Sequence, residues 1–208
     1  IEQEGFLPNT PALVGAGTDL NQLAACFVLP VYDSMDGIFD AIKHAALVHK
    51  SGGGTGFDFS DLRPANSPVR STKGVASGPL SFMEVFNAAT NTIKQGGRRK
   101  GANMGVLRCD HPDILDFIQA KRFDQNKLTN FNISVGMTKR AMETGTVWFP
   151  DGEVLFTNEV LRQAAHSAWS LGEPGVLFLD NINRNLPLTH PGWLRASNPC
   201  GETPLLPF

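Results

Sequence analysis

Cysteine is scarce in this chain, with three residues in 208, at positions 26, 109 and 200. An odd, widely spaced set suits a reducing compartment, and so a cytoplasmic protein, better than a secreted disulfide scaffold. There is no CxxC pair. His44, His49, His111, His166 and His190 show no ligand spacing, so no metal site is expected. Charge of one sign is also lacking: the formal net charge is −2, which offers no basic excess for nucleic acid. No apolar run reaches the roughly 18 residues that span a bilayer, so no membrane partner is expected. Signal peptide, repeats, low-complexity tracts and clear linkers are all missing. So is an initiator Met. Residues 1–5 read as the tail of a helix, and the apolar Leu205-Leu206-Pro207-Phe208 has no polar tail. The expectation is a segment of a longer protein, residues 1–208 forming one domain or one contiguous piece of one.

What is present is an alternation of elements. Residues 23–31, Leu-Ala-Ala-Cys-Phe-Val-Leu-Pro-Val, read as a buried strand. Ser34 can cap a helix over 35–49 whose apolar stripe is Ile38, Ile42, Ala45 and Ala46, stopped by Gly52 to Gly54. A short strand is predicted at 55–59, then a Pro-, Ser- and Arg-rich loop over 61–78. A second helix should run from 79 or 80 to 94, with Phe82, Val85, Phe86, Ala89 and Ile93 along one face. A strand near 102–107 follows, then a helix opened by Asp110 and Pro112 and reaching 122. Further predictions are a strand at 130–135, a short helix at 138–143, a helix capped by Thr157 and ending near Gly172, and a strand at 176–180. Strands alternating with helices predict an α/β fold with mostly parallel strands, sheet or barrel being left open by pattern alone. In such folds, sites gather on loops at the C-terminal ends of strands.

Three segments carry chemistry. Asn198-Pro199-Cys200-Gly201-Glu202 places amide, thiol and carboxylate at alternate positions, which in an extended loop point to one side. Together they can react, take a proton and hold a hydroxyl, although a surface turn with an incidental cysteine would look the same. Lys50-Ser51-Gly52-Gly53-Gly54-Thr55-Gly56 can bring backbone N–H groups close to a ligand, or simply stop a helix. It is neither a P-loop nor GxGxxG after a strand. Gln95-Gly96-Gly97-Arg98-Arg99-Lys100-Gly101 sets three cations on a Gly-rich loop suited to phosphate, with Arg63 and Arg70 as further cations and Asp33 as a partner for a sugar hydroxyl. A solvated charged loop is the plainer interpretation of that run. Cys26 and Cys109 each read, taken alone, as inert core residues.

Taken together, these segments resemble the large subunit of ribonucleotide reductase over nearly the whole chain. Phe6-Leu7-Pro8-Asn9-Thr10-Pro11 is similar to the family's opening segment, and Leu23 to Pro30 to the strand bearing its N-terminal redox cysteine. Gly52 to Gly56 followed by Leu62-Arg63-Pro64 resembles its glycine-rich segment. Residues 95–102 resemble the loop linking effector and substrate sites, and 198–202 the radical-site motif. The wording between motifs, at 74–79, 101–108, 110–114 and 129–135, looks most like the adenosylcobalamin-dependent class.

The resemblance implies a ten-stranded α/β barrel, of which this chain supplies the first half and the start of the finger loop. It implies conversion of ribonucleotides to 2′-deoxyribonucleotides by a thiyl radical. Cys200 would abstract the 3′-hydrogen, Glu202 accept the 3′-OH proton, Asn198 orient the sugar hydroxyls, and Cys26 supply reducing equivalents and end in a disulfide with a partner beyond Phe208. Thr10, Ala25, Cys26, Gly54, Pro199 and Gly201 match substrate-contact positions. Asp33, Arg63, Arg70, Gln95, Arg99 and Lys100 match the region for a deoxynucleotide triphosphate effector. Adenosylcobalamin as cofactor, thioredoxin or a similar reductant, and a homodimer in the full-length protein are implied with it, as is inactivity of the 208-residue piece alone. The alternatives are a reductase whose radical comes from a separate metal-containing subunit, and a non-catalytic nucleotide-binding module.

Overall fold

The computed structural model describes residues 5, 7–19, 21–69, 73–93, 101–184, 186 and 192–207. In chain order their elements are α1 (Thr10–Gly15), β1 (Cys26–Val28), α2 (Met35–Lys50), β2 (Gly54–Asp58), β3 (Pro68–Val69), β4 (Gly74–Val75), α3 (Gly78–Thr92), β5 (Asn103–Arg108), α4 (Ile114–Gln119), β6 (Phe131–Met137), α5 (Lys139–Thr144), β7 (Thr146–Trp148), β8 (Val154–Phe156), α6 (Thr157–Leu171), β9 (Gly175–Phe178), α7 (Leu179–Arg184), β10 (Ala196–Ser197) and β11 (Pro204–Leu205). No helix among the described residues is long and apolar enough to cross a membrane.

The expected α/β architecture is present. Five parallel strands form one sheet in the order β1-β2-β5-β6-β9. That order advances with the sequence and never reverses, so there is no switch point of the doubly wound kind. The sheet is singly wound, like the wall of a barrel, and half of ten strands is what the resemblance implies. The described strands do not close it.

The two faces of the sheet are divided by the period-two alternation of strand side chains. Phe57, Leu107, Ile133, Val135 and Met137 pack outward with Ile38, Ala41 and Ala45 of α2, Met83 and Phe86 of α3, Ile114, Phe117 and Ile118 of α4, and Val160 and Ala164 of α6. Phe57 and Phe59 both meet the Phe86 ring, at centroid distances of 4.9 and 5.4 Å. Each of these fully buried rings contributes about 2–3 kcal/mol. The inward positions, one residue out of phase, are Val28, Met104 and Val106, and they pack with Ala196. The antiparallel ribbon β10/β11 therefore lies on the inner face.

Several elements differ from the sequence reading, each for a local reason. The strand expected over 23–31 pairs only at Cys26–Val28, because its neighbour β2 begins opposite Cys26 at Gly54. The helix expected to reach 122 is confined to Ile114–Gln119: the Asp113 carboxylate accepts from Ala65 N at 2.9 Å rather than capping it, and Lys121 Nζ beyond it donates to Phe131 O at 2.7 Å. Ser34 does cap α2, accepting from Gly37 N at 3.0 Å. Thr157 does not cap α6. It is the first helical residue, and its hydroxyl donates to Ala141 O at 2.7 Å. Asp180 lies in α7 rather than in a strand, its carboxylate accepting from Lys139 N at 2.6 Å.

Candidate active site

The ribbon reaches the inner face because β2 has almost nothing on that side. A Cβ placed on Gly56 would lie 1.8 Å from Ser197 O, and one on Gly54 would lie 2.8 Å from Pro199 Cγ. Two backbones are thus in direct contact. Farther along, Arg195 Nε meets Asp58 Oδ2 at 2.6 Å. Residues 195, 197 and 199 therefore sit over 58, 56 and 54, the ribbon running antiparallel to β2 in steps of two. Pro199 is fixed from the other side by Asn132 of β6, whose amide donates to its carbonyl at 2.6 Å.

Beyond Ser197 the chain turns. Gly201 N donates to Asn198 O at 3.0 Å, and Gly201 takes φ +82°, a left-handed conformation open to glycine at no steric cost. The expected extended loop is therefore a tight turn, and it is this turn, not strand alternation, that brings Asn198 to Glu202. Asn198 is 1% exposed. Its amide nitrogen has two N–H donors and uses both, toward Glu202 Oε1 at 2.6 Å and Cys26 Sγ at 3.3 Å. Its Oδ1 accepts from Thr203 N at 2.9 Å. One amide thus holds the nearby Glu202 carboxylate and a thiol 172 positions away from it in sequence, that of Cys26. Cys200 is a free, exposed cysteine at the tip of the turn. Such a set can present a thiol and a base to one small molecule.

Cys26 and Gly54 are the first residues of β1 and β2 and pair with each other, and Gly54 N donates to Ala25 O at 2.7 Å. Ala25, Cys26, Gly54, Asn198, Pro199, Gly201 and Glu202 are thus gathered in one place. That place is against the N-terminal ends of the strands, contrary to the general expectation of a C-terminal site. The reason is that the ribbon starts over the C-terminal end of β2 and carries its turn down the inner face. Thr10 opens α1 behind the capping residue Asn9 and is exposed, and no hydrogen bond joins it to the Asn198 cluster.

The effector candidates occupy a different region. Asp33 Oδ2 accepts from Arg63 Nε at 2.8 Å on the rim beyond β1 and β2. Arg70, Gln95, Arg99 and Lys100 lie outside the described residues. A Cβ on Gly101 would lie 3.0 Å from His49 Nδ1. His49 is fully buried, and its Nε2 hydrogen-bonds Thr55 Oγ1 at 3.0 Å. Thr55 donates to Asn103 Oδ1 at 2.7 Å, and Asn103 donates to Thr90 Oγ1 at 3.0 Å. Burial holds the His49 ring below its ordinary pKa, hence neutral. Cys109 is fully buried with its thiol pushed up by desolvation, which suits an inert core residue.

Sequence reasoning missed Arg195, Asp58, Asp61 and Asn132. Each is an ordinary polar residue in sequence, and its role comes from a partner far along the chain. Burial raises the Asp58 carboxyl despite the cation of Arg195 beside it, whereas hydrogen bonding from Arg195 lowers that of Asp61.

A family model described as "Ribonucleotide reductase, barrel domain" matches residues 24–147 and 152–207. The chain is 50% identical to a vitamin B12-dependent ribonucleoside-diphosphate reductase of Thermoplasma acidophilum, over 98% of this chain and 28% of that protein. It is 46% identical to a vitamin B12-dependent ribonucleoside-diphosphate reductase of Mycobacterium tuberculosis, over 98% of this chain and 31% of the relative. A ribonucleoside-diphosphate reductase large subunit of Monkeypox virus is 26% identical over 97% of this chain. The chain spans about three-tenths of the length of these curated relatives.

Proposed function

The chain belongs to the ribonucleotide reductase family through its barrel domain, and from that premise we propose that the protein it forms part of reduces ribonucleotides to 2′-deoxyribonucleotides, with Cys200 as the radical-bearing thiol. The observation that carries this reading is the Asn198 amide, which ties Cys26 and Glu202 together beside the exposed Cys200. A nucleotide-binding module without chemistry has no use for a thiol and a base held on one amide.

The roles are those the family resemblance implies, and the geometry supports them. Cys200, as a thiyl, takes the 3′-hydrogen atom and becomes a thiol, leaving the unpaired electron on C3′. Glu202 accepts the 3′-OH proton and returns it to the 3′-oxygen at the end of the cycle, and the 2′-OH leaves as water with a proton from the Cys26 thiol. Two electrons and the hydrogen that replaces the hydroxyl come from the Cys26 thiol and a second thiol of the whole protein, which end as a disulfide. Cys200 then returns its hydrogen atom to C3′ and is a thiyl again. Asn198 keeps carboxylate and thiol at fixed separation, so that both reach one ribose. Ala25, Gly54, Pro199 and Gly201 shape the floor through backbone and small side chains, whereas a part for Thr10, on α1, rests on the resemblance alone.

Adenosylcobalamin, in keeping with the vitamin B12-dependent relatives, would supply the oxidising equivalent that makes the thiyl. The free Cys200 thiol exposed at the turn's tip fits a source that approaches from outside the ribbon. The same names favour this over a radical from a separate metal-containing subunit. Asp33 and Arg63, with Arg70, Gln95, Arg99 and Lys100, would take a deoxynucleotide triphosphate effector. A thioredoxin-type protein would restore the thiols, and the whole protein would act as a homodimer.

Cys200→Ser in the full-length protein tests the assignment, since an alkoxyl hydrogen is too strongly bound for reversible transfer. Turnover should fall to background while nucleotide binding by calorimetry stays within about twofold, an energy below 1 kcal/mol. Deoxynucleotide formation by that variant would overturn the reading.

A further inference from the structure

We propose that Arg195 is a positioning residue for the reaction, a clamp that locks the ribbon at one register along β2 and so fixes how far Cys200 reaches across the inner face. The inference rests on Cys200 being the hydrogen-abstracting thiol.

The need for a lock comes from the floor. Gly54 and Gly56 let the ribbon lie directly on β2, but a glycine strand is smooth. It offers no side chain to stop a neighbouring chain from sliding, and glycine-rich strands specify register weakly. A slip of one residue is about 3.3 Å, more than a thiol can tolerate between itself and a C–H bond.

Arg195 supplies the stop. It stands immediately before Ala196, the first residue of β10, and opposite Asp58, the last of β2. Its Nε meets Asp58 Oδ2 at 2.6 Å, and its two terminal nitrogens meet Asp61 Oδ2 and Oδ1, each at 2.7 Å. The two terminal nitrogens donate to Asp61 as a planar fork, which fixes both distance and orientation, while Nε pairs with Asp58 by charge. The carboxylates are themselves held. Asp58 Oδ1 accepts from Ser60 N at 2.9 Å, and Ser60 Oγ accepts from Arg108 N of β5 at 2.8 Å. The Asp58 side chain is only 12% exposed, so solvent competes little for its half of the clamp. The other fastenings, Asn132 on Pro199 and Asn198 on Cys26, lie at the far end of the ribbon. The two ends together set its position as two pins set a bar.

The test uses the full-length enzyme, Arg195→Lys and a substrate deuterated at C3′. Lysine keeps the charge but loses the fork. The expected result is a kcat at least tenfold lower, unchanged KM and effector affinity, and a larger 3′-deuterium isotope effect on kcat, because a misplaced thiyl makes hydrogen transfer limiting. Parental kcat would overturn the clamp. So would a lower kcat with an unchanged isotope effect, since that records fewer active molecules rather than a misplaced sulfur. If Arg195→Lys does not accumulate folded, Asp61→Asn, whose side chain is 58% exposed, carries the same readout, and the same two outcomes refute the proposal. Cys200→Ser run beside them separates the premises: turnover in that variant defeats the radical assignment whatever Arg195 does.

Discussion

The contact between Gly56 and Ser197 allows a direct test of how the turn is placed. Alanine at position 56 would put its Cβ 1.8 Å from the Ser197 carbonyl oxygen. Ordinary carbon–oxygen contact needs about 3.4 Å or more, so the ribbon must rise by roughly 1.5 Å. The obstacle is backbone on both sides and cannot be turned away by a rotamer. Overpacking of this kind costs about 1–3 kcal/mol of stability. The larger effect should be on chemistry, where a displacement of about 1 Å can cost about 10²-fold in rate, equivalent to about 2.7 kcal/mol of barrier. The control is Gly105→Ala on the adjacent strand, opposite Phe57. Its Cβ would meet Met83 Cε at 2.6 Å, the far end of a flexible side chain on the outer face, so it can lose stability without moving the ribbon. The assay is steady-state turnover with thermal midpoints for both variants in the full-length protein. Gly56→Ala should lose about two orders of magnitude in kcat, and Gly105→Ala should stay within about threefold, a barrier change below 1 kcal/mol. Parental kcat in a folded Gly56→Ala protein would refute the idea that the ribbon's seat on β2 sets the position of the thiol.

Two further outcomes are expected. Asn198→Ala removes the partner of Glu202 Oε1, Cys26 Sγ and Thr203 N at once; it should cost about 1–3 kcal/mol in denaturant unfolding and bring turnover down at least tenfold, whereas Asn198→Asp should restore the Thr203 contact and repel Glu202. His49 is buried and its pKa is held below the ordinary 6.5, so the unfolded chain binds the proton more readily. Its contribution to stability is fully present above pH 6.5 and is lost as pH falls below it, by up to about 1.4 kcal/mol per pH unit. Thermal midpoints between pH 7.5 and 5.5 should fall more steeply in the parent than in His49→Gln, and equal slopes would count against a neutral buried ring.

Much of the architecture was readable from the chain because its signals are local. The stripe Ile38, Ile42, Ala45 with Ser34 before it marks α2, and the strands predicted at 55–59, 102–107 and 130–135 fall within one or two residues of β2, β5 and β6. The ribbons β3/β4 and β7/β8 went unread because each strand has two or three residues, too few for a period to register. For α7, the apolar run through Leu177 and Phe178 pulls the reading toward strand, while the helix depends on Asp180 meeting the backbone of Lys139. At the candidate site, the amide, thiol and carboxylate of 198–202 were visible as residue types. Their arrangement was not, since alternation suggested one extended side and the chain instead turns at Gly201. Arg195 could not be picked out at all. Its carboxylate partners are fixed by the sheet, with Asp61 134 positions away in sequence.

The bare face of β2 also decides what can be adjusted at the candidate site. Where Gly56 faces Ser197, peptide unit rests on peptide unit, and a peptide unit has no alternative conformers to try. Bond lengths and strand geometry, which are the same in every protein, therefore dictate the thickness of that wall. Adjustment of the candidate site by amino-acid replacement must then draw on neighbouring side chains such as Met104 and Asn132, while the seat of the ribbon on the sheet stays constant.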